Sequence, residues 1–351
     1  MNASLPGLAA IRASLPKALP ATGPLMRSVM WALLPGTLLS AWLLGVGVLV
    51  NVGLGVTSAL IAEASALRLR GRPVRATLSD GSAALAGWLL ALCVTPTLPG
   101  WQLVLGTSIA ILLAKHVFGG IGHNPFNPAM VGYAVLLISF PQTMNVWPAS
   151  ALQPPGAVSS VPADPTAMAD AADPSSRWDA LTRQTPLDAW RTTRRLVEPD
   201  RSSEPMTPAA PAAPATVEPA RPPGRAQALI ALAWLLGGTW LLWRRTIGWH
   251  IPVALLGTLA LCELVALVFG ATTIGPLAAL FSGGAMLGAF FIATDPVSAA
   301  ATVRGRLVYA AGIGLITFAI RSAGGWPEGI AFGVLLMNGA VPMIDRLSGA
   351  P

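Results

Sequence analysis

The sequence predicts an all-α polytopic membrane protein of about ten transmembrane helices, arranged as two five-helix halves around one long extracytoplasmic loop. Hydrophobic residues make up 54% of the 351 residues and charged residues only 11%, whereas about a quarter of the residues in a soluble domain are charged. The hydrophobic residues are concentrated in ten apolar segments, five on each side of a polar interruption. Half of the chain's 32 prolines fall within that interruption, between Pro141 and Pro223.

We interpret the net charge of +7 as a sign of topology and not of nucleic-acid binding. The basic residues stand in short groups between apolar segments, and they form no run interleaved with aromatic residues. Cys93 and Cys262 lie in apolar segments without metal-ligand spacing, and the three histidines are scattered, so we predict no metal site. The sequence also lacks the glycine-rich motifs that bind dinucleotides or phosphates, so no soluble nucleotide is expected to bind this chain alone.

Five helices are predicted in the first half, residues 28–141. Its apolar segments are residues 28–44, 46–67, 83–96, 101–115 and 127–140. The shorter segments fall below the roughly 20 residues that cross a hydrocarbon core of ~30 Å, so we expect the helices to extend beyond them. Residues 118–130 contain three glycines, two Asn-Pro pairs and a histidine. A tight loop would explain this composition, and so would a broken segment at a membrane boundary whose amides are satisfied by protein or water.

Five further helices are predicted in the second half, residues 227–345. Its apolar segments are residues 228–243, 251–269, 271–293, 307–320 and 330–344, and a second polar breaker occupies residues 294–300. Because an odd number of spans precedes the central loop, the two halves have opposite orientations. This permits an inverted repeat of the kind known in ion-coupled transporters. Both breakers then fall on the cytoplasmic face, where they could line one shared site.

The remaining residues are assigned to segments outside the membrane halves. We predict that residues 1–27 form a cytoplasmic N-terminal segment and residues 346–351 a cytoplasmic tail. The central loop, residues 142–226, carries 8 basic and 9 acidic residues, so it is nearly neutral and can be exported to the periplasm. Residues 205–224 within this loop are rich in Pro and Ala, which predicts an extended linker.

Residues 178–187 form a compact, chemically mixed decapeptide within the central loop, Trp-Asp-Ala-Leu-Thr-Arg-Gln-Thr-Pro-Leu. Taken alone, Asp179 and Thr182 would form an ordinary capped turn. The spacing of Asp179, Thr182 and Thr185 also resembles the site at which a flavin transferase esterifies the phosphate of FMN to a threonine in membrane subunits of the NqrB/RnfD family. The resemblance implies that Thr185 is the FMN acceptor and that Asp179 and Thr182 contribute to recognition. At residues 183–184 this sequence has Arg-Gln, where the family usually has smaller residues.

Two further blocks carry the same resemblance. Residues 118–141 look like the family's first signature almost residue for residue, and the sequence Thr-Asp-Pro-Val at residues 294–297 is similar to its second. The likeness covers nearly all of residues 28–347 apart from the linker. It implies a membrane subunit of the Rnf complex, which transfers electrons between ferredoxin and NAD and couples this transfer to Na⁺ or H⁺ translocation. Such a subunit is not catalytically complete alone.

The resemblance also implies cofactors and partners. Covalent FMN on Thr185 is expected, together with a noncovalent flavin, riboflavin, near one of the broken segments. The expected partners are other subunits of the Rnf complex, including iron–sulfur and flavin-carrying ones, a flavin transferase and membrane lipid, whereas no nucleic acid is expected. The candidate residues for the second flavin or the ion pathway are His123, Asn124, Asn127, Asp295 and Glu63.

Carboxylates inside the apolar segments are candidates for ion coupling on physical grounds. A charged side chain within a membrane is costly and usually functional, and Glu63, Glu263 and Asp295 are such residues. Two structural roles compete with this one. Glu63 could extend toward Arg68 at the end of its helix, and Asp295 could cap the helix that follows it.

Two other functions fit the same sequence. An inverted-repeat secondary transporter would bind a solute at its broken helices, and a scaffold subunit of a redox complex would carry no redox cofactor. A flavin that stays on the denatured chain would favour the redox subunit over both.

The basic residues outside the central loop give the orientation. With a cytoplasmic N terminus and ten spans, all but one of them fall on the cytoplasmic side, as the rule for short loops requires. They are Arg12, Lys17, Arg27, Arg68, Arg70, Arg72, Arg75, Lys115, Arg244, Arg245, Arg304, Arg306 and Arg346, and the exception is Arg321. We therefore predict a multi-pass protein of the bacterial inner membrane with both termini in the cytoplasm and Thr185 in the periplasm.

This orientation predicts how single-cysteine variants react with a membrane-impermeant thiol reagent. In a chain whose two native cysteines are replaced by alanine, Ser176→Cys and Ser203→Cys should be labelled in intact cells, because the central loop is outside. Arg72→Cys should be labelled only after lysis, because the bilayer excludes the reagent. Labelling of Arg72→Cys in intact cells would reverse the orientation.

Overall fold

The computed structural model describes residues 22–120, 122–148, 151–152, 182–183, 224–270, 275–323 and 328–349. The first half contains helices α1 (Thr22–Leu44), α2 (Gly47–Leu69), α3 (Val74–Leu78), α4 (Ser82–Cys93), α5 (Gly100–Ile109), the π-helix π1 (Ala110–His116), α6 (Pro128–Ser139) and α7 (Pro141–Met144). The second half contains α8 (Arg225–Trp243), α9 (His250–Val268), α10 (Pro276–Phe281), α11 (Ala285–Leu287), the π-helix π2 (Gly288–Ile292), α12 (Val303–Ala323) and α13 (Ile330–Leu347). Between the halves, strand β1 (Trp147–Pro148) pairs with strand β2 (Thr182–Arg183).

Within these residues, six helices are long and apolar enough to cross a membrane, namely α1, α2, α8, α9, α12 and α13. The chain is therefore a mainly helical membrane protein, as the sequence predicts. The remaining apolar segments are also helical but shorter or interrupted. Helices α4 and α6 have 12 residues each and are shorter than their apolar segments, so the expectation that these helices extend beyond the segments is wrong for them. Helix α5 continues without a gap into π1.

Two helices begin earlier than hydropathy indicates. Helix α1 begins at Thr22 and α12 at Val303, which is about six and four residues before the respective apolar segments. The added turns contain arginines, which lower the hydropathy although the helix continues through them. A hydropathy profile marks the apolar core of a span and not the ends of its helix.

Consecutive helices run in opposite directions, so the bundle has two ends. We call one the basic end, because α2 finishes there and four arginines follow between residues 68 and 75. We call the other the loop end, because β1 and β2 lie there. The central segment begins at the loop end beside α1, where the Ala151 N–H donates to the Leu43 carbonyl at 2.9 Å.

The apolar segment over residues 271–293 is not one continuous helix. In its described part, from residue 275 onwards, α10 ends at Phe281 and α11 begins only at Ala285. Ser282 is extended, and Gly283 has a φ of +62°, a conformation that favours glycine. The sequence Ser-Gly-Gly at residues 282–284 is therefore the local cause of the break.

Arg321 of α12 satisfies the backbone that this break exposes. Its guanidinium donates to the carbonyls of Ala279 at 2.9 Å and Ser282 at 3.4 Å, and it pairs with the Glu328 carboxylate at 2.9 Å. The same carboxylate accepts a hydrogen bond from the Gly284 N–H at 2.8 Å. Arg321 is 3% exposed. It is a buried structural residue, which explains why it alone departs from the charge asymmetry.

Helices α1 and α8 join the two halves through close contacts at glycine. A Cβ on Gly36 would lie 2.2 Å from the Trp234 ring, and one on Gly237 would lie 2.3 Å from the Ala32 carbonyl oxygen. Trp234 is buried and packs edge-on against Phe291 of π2, with ring centroids 5.9 Å apart. The two halves therefore share one core.

The crossing of α2 and α4 generates a stability prediction. A Cβ on Gly55 would lie 2.6 Å from the Gly87 carbonyl oxygen, which is backbone and cannot rotate away. Gly55→Ala should lower the thermal stability of the purified protein, since overpacking costs about 1–3 kcal/mol.

Gly53→Ala is the matched control for this prediction. It lies on the same helix, and nothing lies within 4 Å of its Cβ position. Because alanine favours a helix over glycine by up to about 1 kcal/mol, Gly53→Ala should be neutral or stabilising. Equal melting temperatures for the two variants would contradict the close crossing.

Candidate functional site

Asn127, which precedes α6, links the first polar breaker to the second half of the chain. Its Oδ1 accepts a hydrogen bond from the Met130 N–H at 3.3 Å, so Asn127 caps α6. Its Nδ2 donates to the Ile292 carbonyl at 3.3 Å, at the end of π2. Its backbone N–H donates to Asn338 Oδ1 on α13 at 3.1 Å. One buried residue thus ties the first breaker to both the eighth and the tenth apolar segments.

Asn338 completes this junction from the other side. Its Nδ2 donates to the Ser298 carbonyl at 2.9 Å and to the Tyr309 hydroxyl oxygen at 2.8 Å. Asn338 is 1% exposed and Tyr309 is 0% exposed. An amide with several positioned partners inside a membrane domain fixes the relative places of the segments that carry them.

Asp295 lies in the turn after π2, outside the helices. Its Oδ1 accepts from the Val297 N–H at 3.3 Å and its Oδ2 from the Ser298 hydroxyl at 3.0 Å. Burial raises the pKa of this carboxyl above its ordinary value, and the two hydrogen bonds oppose that shift. Asp295 therefore caps its own turn, since α12 begins only at Val303.

A cavity of about 90 Å³ lies at the basic end between the two breakers. Three of the predicted site residues line it, namely Asn124, Asn127 and Asp295, together with Lys115 and Ser82. The structure therefore brings the two breakers to one cavity, and the role of these residues as a site stays a prediction. His123 and Glu63 are not among its lining residues. His123 is exposed on the first breaker.

Glu63 lies beside this cavity in a buried ion pair. Its Oε2 accepts from Lys115 Nζ at 2.8 Å, and the two side chains are 1% and 3% exposed. The alternative in which Glu63 extends toward Arg68 is therefore not what the structure shows. Because Lys115 lines the cavity, Glu63 is one residue removed from it.

A second cavity, of about 210 Å³, lies at the loop end between the two halves. Its walls are mainly apolar and aromatic and include Tyr133, Met144, Trp147 and Trp234, with Glu328 as a charged lining residue. Loop-end segments of both halves contribute to it. This cavity is more than twice as large as the one at the basic end.

Strand β2, which lies within the candidate flavin-attachment motif of residues 178–187, stands at the rim of the loop-end cavity. In the antiparallel pairing, Trp147 stands opposite Arg183 and Pro148 opposite Thr182. Trp147 and Pro148 both line the cavity. Two central residues of the motif therefore have a described backbone position, whereas Asp179 and Thr185 lie outside the described residues.

The two cavities lie back to back. Ala129 and Phe291 line the basic-end cavity, and the next residues along the chain, Met130 and Ile292, line the loop-end cavity. All four are at most 4% exposed. The linings of the two cavities therefore adjoin at these residues. Both π-helices contribute lining residues to these cavities, and π-helical turns occur frequently at functional sites.

The composition of both cavities fits flat, largely apolar ring systems. Cofactor sites are mainly hydrophobic and aromatic with a few placed polar groups. Trp147 and Trp234 supply aromatic surface at the loop end, and Lys115, Asn124 and Asn127 supply hydrogen-bonding groups at the basic end. Among the residues that the structure describes, no group of three His, Cys, Asp or Glu side chains could hold a metal ion.

Sequence reasoning assigns no site role to Lys115, Ser82, Tyr309 or Asn338. In the sequence-based prediction, Lys115 counts only as one of the basic residues on the cytoplasmic side. The sequence offered one signal for a site role of Lys115. Lys115 and His116 end an apolar segment shortly before the glycine-rich breaker. The partners themselves are far apart in the chain, so no local pattern predicts them.

The junction at Asn338 generates a second stability prediction. Asn338→Leu keeps the approximate volume but removes the amide, leaving the Asn127 N–H and the Ser298 carbonyl without this partner. Each buried group left unsatisfied costs about 1–3 kcal/mol, so the melting temperature should fall. The control is Leu336→Ala on the same helix, since Leu336 is 61% exposed. If the two variants are equally stable, the junction does not hold the breakers together.

Comparisons with known proteins agree with this architecture. The NQR2, RnfD, RnfE family model matches residues 17–349. The chain is 43% identical over 332 residues to the D subunit of the ion-translocating oxidoreductase complex of Escherichia coli O81 (strain ED1a), with 92% of each chain covered. It is also 43% identical over 336 residues to the protein of the same name from Escherichia coli (strain K12 / DH10B), again with 92% of each chain covered. The chain therefore belongs to the NQR2, RnfD, RnfE family.

Proposed function

We propose that this chain is the D subunit of an ion-translocating oxidoreductase complex in the bacterial inner membrane, and that it carries FMN covalently on Thr185. Relatives that are 43% identical over 92% of the chain bear that subunit's name. In the proposed complex, electrons pass between ferredoxin and NAD and drive Na⁺ or H⁺ across the membrane. The chain is one part of a redox-driven translocase, and other subunits supply the iron–sulfur and remaining flavin centres.

The observation that carries this proposal is the pairing of β2 with β1. Thr182 and Arg183 belong to the flavin-attachment motif, and Thr185 follows two residues later. Two residues of extended chain span about 7 Å. A cofactor on Thr185 would therefore start close to the aromatic rim of the loop-end cavity, where Trp147 and Pro148 lie.

This chain's own residues would bind and shield the cofactor at the loop end. FMN supplies one- and two-electron redox chemistry when it is bound. Tyr133, Trp147 and Trp234 would pack against its ring and exclude water, and Gln227 and Asn145 are polar lining residues for its polar edge. A phosphoester to Thr185 would keep a cofactor on the periplasmic side from being lost by dilution. A flavin transferase would form that bond.

The basic-end cavity is the proposed place of the second flavin, riboflavin. Asn124, Asn127 and Asp295 line it and would contact the ligand. His123 and Glu63 are proposed for the ion pathway beside it, because His123 is exposed on the same breaker and Glu63 is paired with a cavity-lining lysine.

The proposed topology has ten spans in two inverted halves, residues 28–141 and 227–345. The six long helices account for six spans. Helix α4, the continuous α5–π1 segment, α6 and the interrupted α10–π2 segment are proposed as the other four, packed inside the bundle. Residues 1–27 and 346–351 are then cytoplasmic, and residues 142–226 form the periplasmic loop.

Substitution of the acceptor residue tests the function. Thr185→Val keeps the β-branched shape and removes the nucleophilic oxygen, so the membrane domain should fold while the covalent flavin disappears. Intact-mass spectrometry of the denatured chain measures this, because attached FMN adds a fixed increment, and fluorescence of the denatured gel band checks it.

Thr182→Val is the matched control for the acceptor. It removes a hydroxyl from the same motif and should retain part of the flavin, since Thr182 would assist recognition without forming the ester. An increment that persists in Thr185→Val would refute the acceptor assignment. An unmodified chain that never carries the increment, in a host that has the transferase, would favour the scaffold or transporter function.

A further inference from the structure

Glu63, Lys115 and His116 form a buried cluster of titratable groups at the basic end. Lys115 Nζ lies 2.8 Å from Glu63 Oε2, and His116 Nε2 lies 3.2 Å from the same oxygen. All three side chains are at most 7% exposed. A buried ion pair contributes little net stability, because desolvation offsets the attraction. Charged groups within a membrane domain are usually functional, so this cluster requires a functional explanation.

His116 gives the cluster an unused proton site. Both of its ring nitrogens are buried, and neither has a hydrogen-bond partner within the described structure. Buried polar atoms are nearly always paired, and an imidazole next to a carboxylate can exchange a proton with it. Nε2 lies 3.2 Å from Glu63 Oε2 without forming a hydrogen bond to it. The two side chains are therefore close enough to share a proton once the imidazole turns toward the carboxylate.

Lys115 connects this cluster to the basic-end cavity. Its ammonium also donates to Ser82 Oγ at 2.8 Å. Lys115 and Ser82 line the cavity, whereas Glu63 and His116 are not among its lining residues. The ammonium therefore stands between the cavity and the Glu63 carboxylate. A shift toward the cavity would release the carboxylate.

A hydrogen-bonded chain links the cluster to a partly exposed carboxylate. Ser82 Oγ donates to Asp80 Oδ1 at 2.6 Å and accepts from Lys115. Asp80 lies in the turn between α3 and α4 and is partly exposed. The sequence of contacts from Asp80 through Ser82 and Lys115 to Glu63 thus reaches from the surface of the basic end into the core.

Few other charged groups face this cluster from the described elements packed against it. Arg70, at the end of α2, donates to the His116 carbonyl at 2.6 Å. Asp295 lines the same cavity from the second breaker. Within the described residues, the ion pairs of the Glu63 carboxylate are those with Lys115 and His116, so its charge is balanced mainly by the Lys115 ammonium.

We propose that Glu63 and His116 form a proton-binding site that the Lys115 ammonium controls. This inference rests on the proposed function, because the electron that triggers proton binding comes from the proposed redox complex. A flavin bound in the basic-end cavity would accept one electron from an iron–sulfur donor of the complex, and the negative charge that it gains would attract the Lys115 ammonium. Glu63 then binds one proton, which comes from water at the basic end along the contacts from Asp80 through Ser82 and Lys115. One electron and one proton enter together, so the net charge is unchanged.

The ligand chemistry assigns the site to a proton and not to Na⁺. A hard cation in a protein is held by several oxygen ligands. The groups around the Glu63 carboxylate are an ammonium and an imidazole, and both are nitrogen groups that repel or poorly bind such a cation. A carboxylate that lies 3.2 Å from an imidazole nitrogen suits a proton.

The test measures proton uptake by the whole purified complex in lipid nanodiscs. A pH-indicator dye in weakly buffered medium reports the protons bound when the complex is reduced, and infrared difference spectra report protonation of carboxyl groups. The Glu63→Gln complex should take up one proton fewer per electron. The carboxyl band of Glu63 should be absent from its infrared difference spectrum. Ser82→Ala should slow the uptake without changing the number of protons.

Two further variants keep the test decisive if Glu63→Gln assembles poorly, since it leaves the Lys115 ammonium buried without its partner. Lys115→Met should assemble, because Glu63 can be neutralised by a proton, and its carboxyl band should be absent from the difference spectrum. Glu63→Gln/Lys115→Met should restore the assembly lost in Glu63→Gln and still lack the proton. These assembly measurements use the oxidised complex and do not depend on flavin.

Several results would overturn the inference. Unchanged proton uptake in a Glu63→Gln complex that retains its flavin and its electron transfer would refute it while the proposed function stands. The inference would also be refuted if Glu263→Gln, and not Glu63→Gln, lost this proton. A dependence of the proton uptake on Na⁺ concentration would refute it as well. If the complex holds no flavin, equal loss of assembly in Lys115→Met and Glu63→Gln would show that the cluster is only a structural ion pair.

Discussion

The requirement that every backbone N–H and C=O group inside a membrane have a protein partner governs this structure. The helical backbone is interrupted in both halves, and each interruption has its own set of side-chain partners. At the basic end, the side chains of Asn127 and Asn338 form hydrogen bonds with backbone groups in or next to the breakers. Arg321 and Glu328 satisfy the break between α10 and α11 at the loop end. These residues allow irregular backbone to exist where two cavities can form beside it.

Two cavities lie between the halves, next to the interruptions. Where α1 and α8 approach closely, as at Gly36 with Trp234, the packing leaves no space for a side chain at that glycine. Where α6 begins and π2 ends, the chain turns away from helical geometry, and the linings of the two cavities adjoin there. The position of the cavities is thus a consequence of where the backbone is broken. A pair of cavities so close together suits cofactors that exchange electrons, whereas a solute pathway would need the two cavities to connect.

The sequence predicts much of this fold, because its strongest signals are local. Apolar segments predict helices, and the Asn-Pro pairs and glycines of residues 118–130 predict a broken segment, since each residue type acts on its own backbone. The basic-end site was predictable in part for the same reason, and Asn124, Asn127 and Asp295 do share one cavity. The ion pair of Glu63 with Lys115 joins residues 52 positions apart, and no periodicity relates them. Only tertiary packing decides that this lysine is buried and not at the membrane surface.

That burial limits what the basic-end cavity can bind without further change. Removal of one partner from a buried ion pair typically costs about 3–5 kcal/mol, which is a factor of about 10² to 10⁴ in an equilibrium constant. If the carboxylate stayed ionised, moving Lys115 away from Glu63 toward a negative charge in the cavity would cost free energy of that order. Neutralisation of Glu63 by a proton removes this cost. In the proposed mechanism, a buried lysine shared between a cavity and a carboxylate therefore favours entry of the electron together with a positive charge, which is the physical requirement for coupling electron transfer to ion movement.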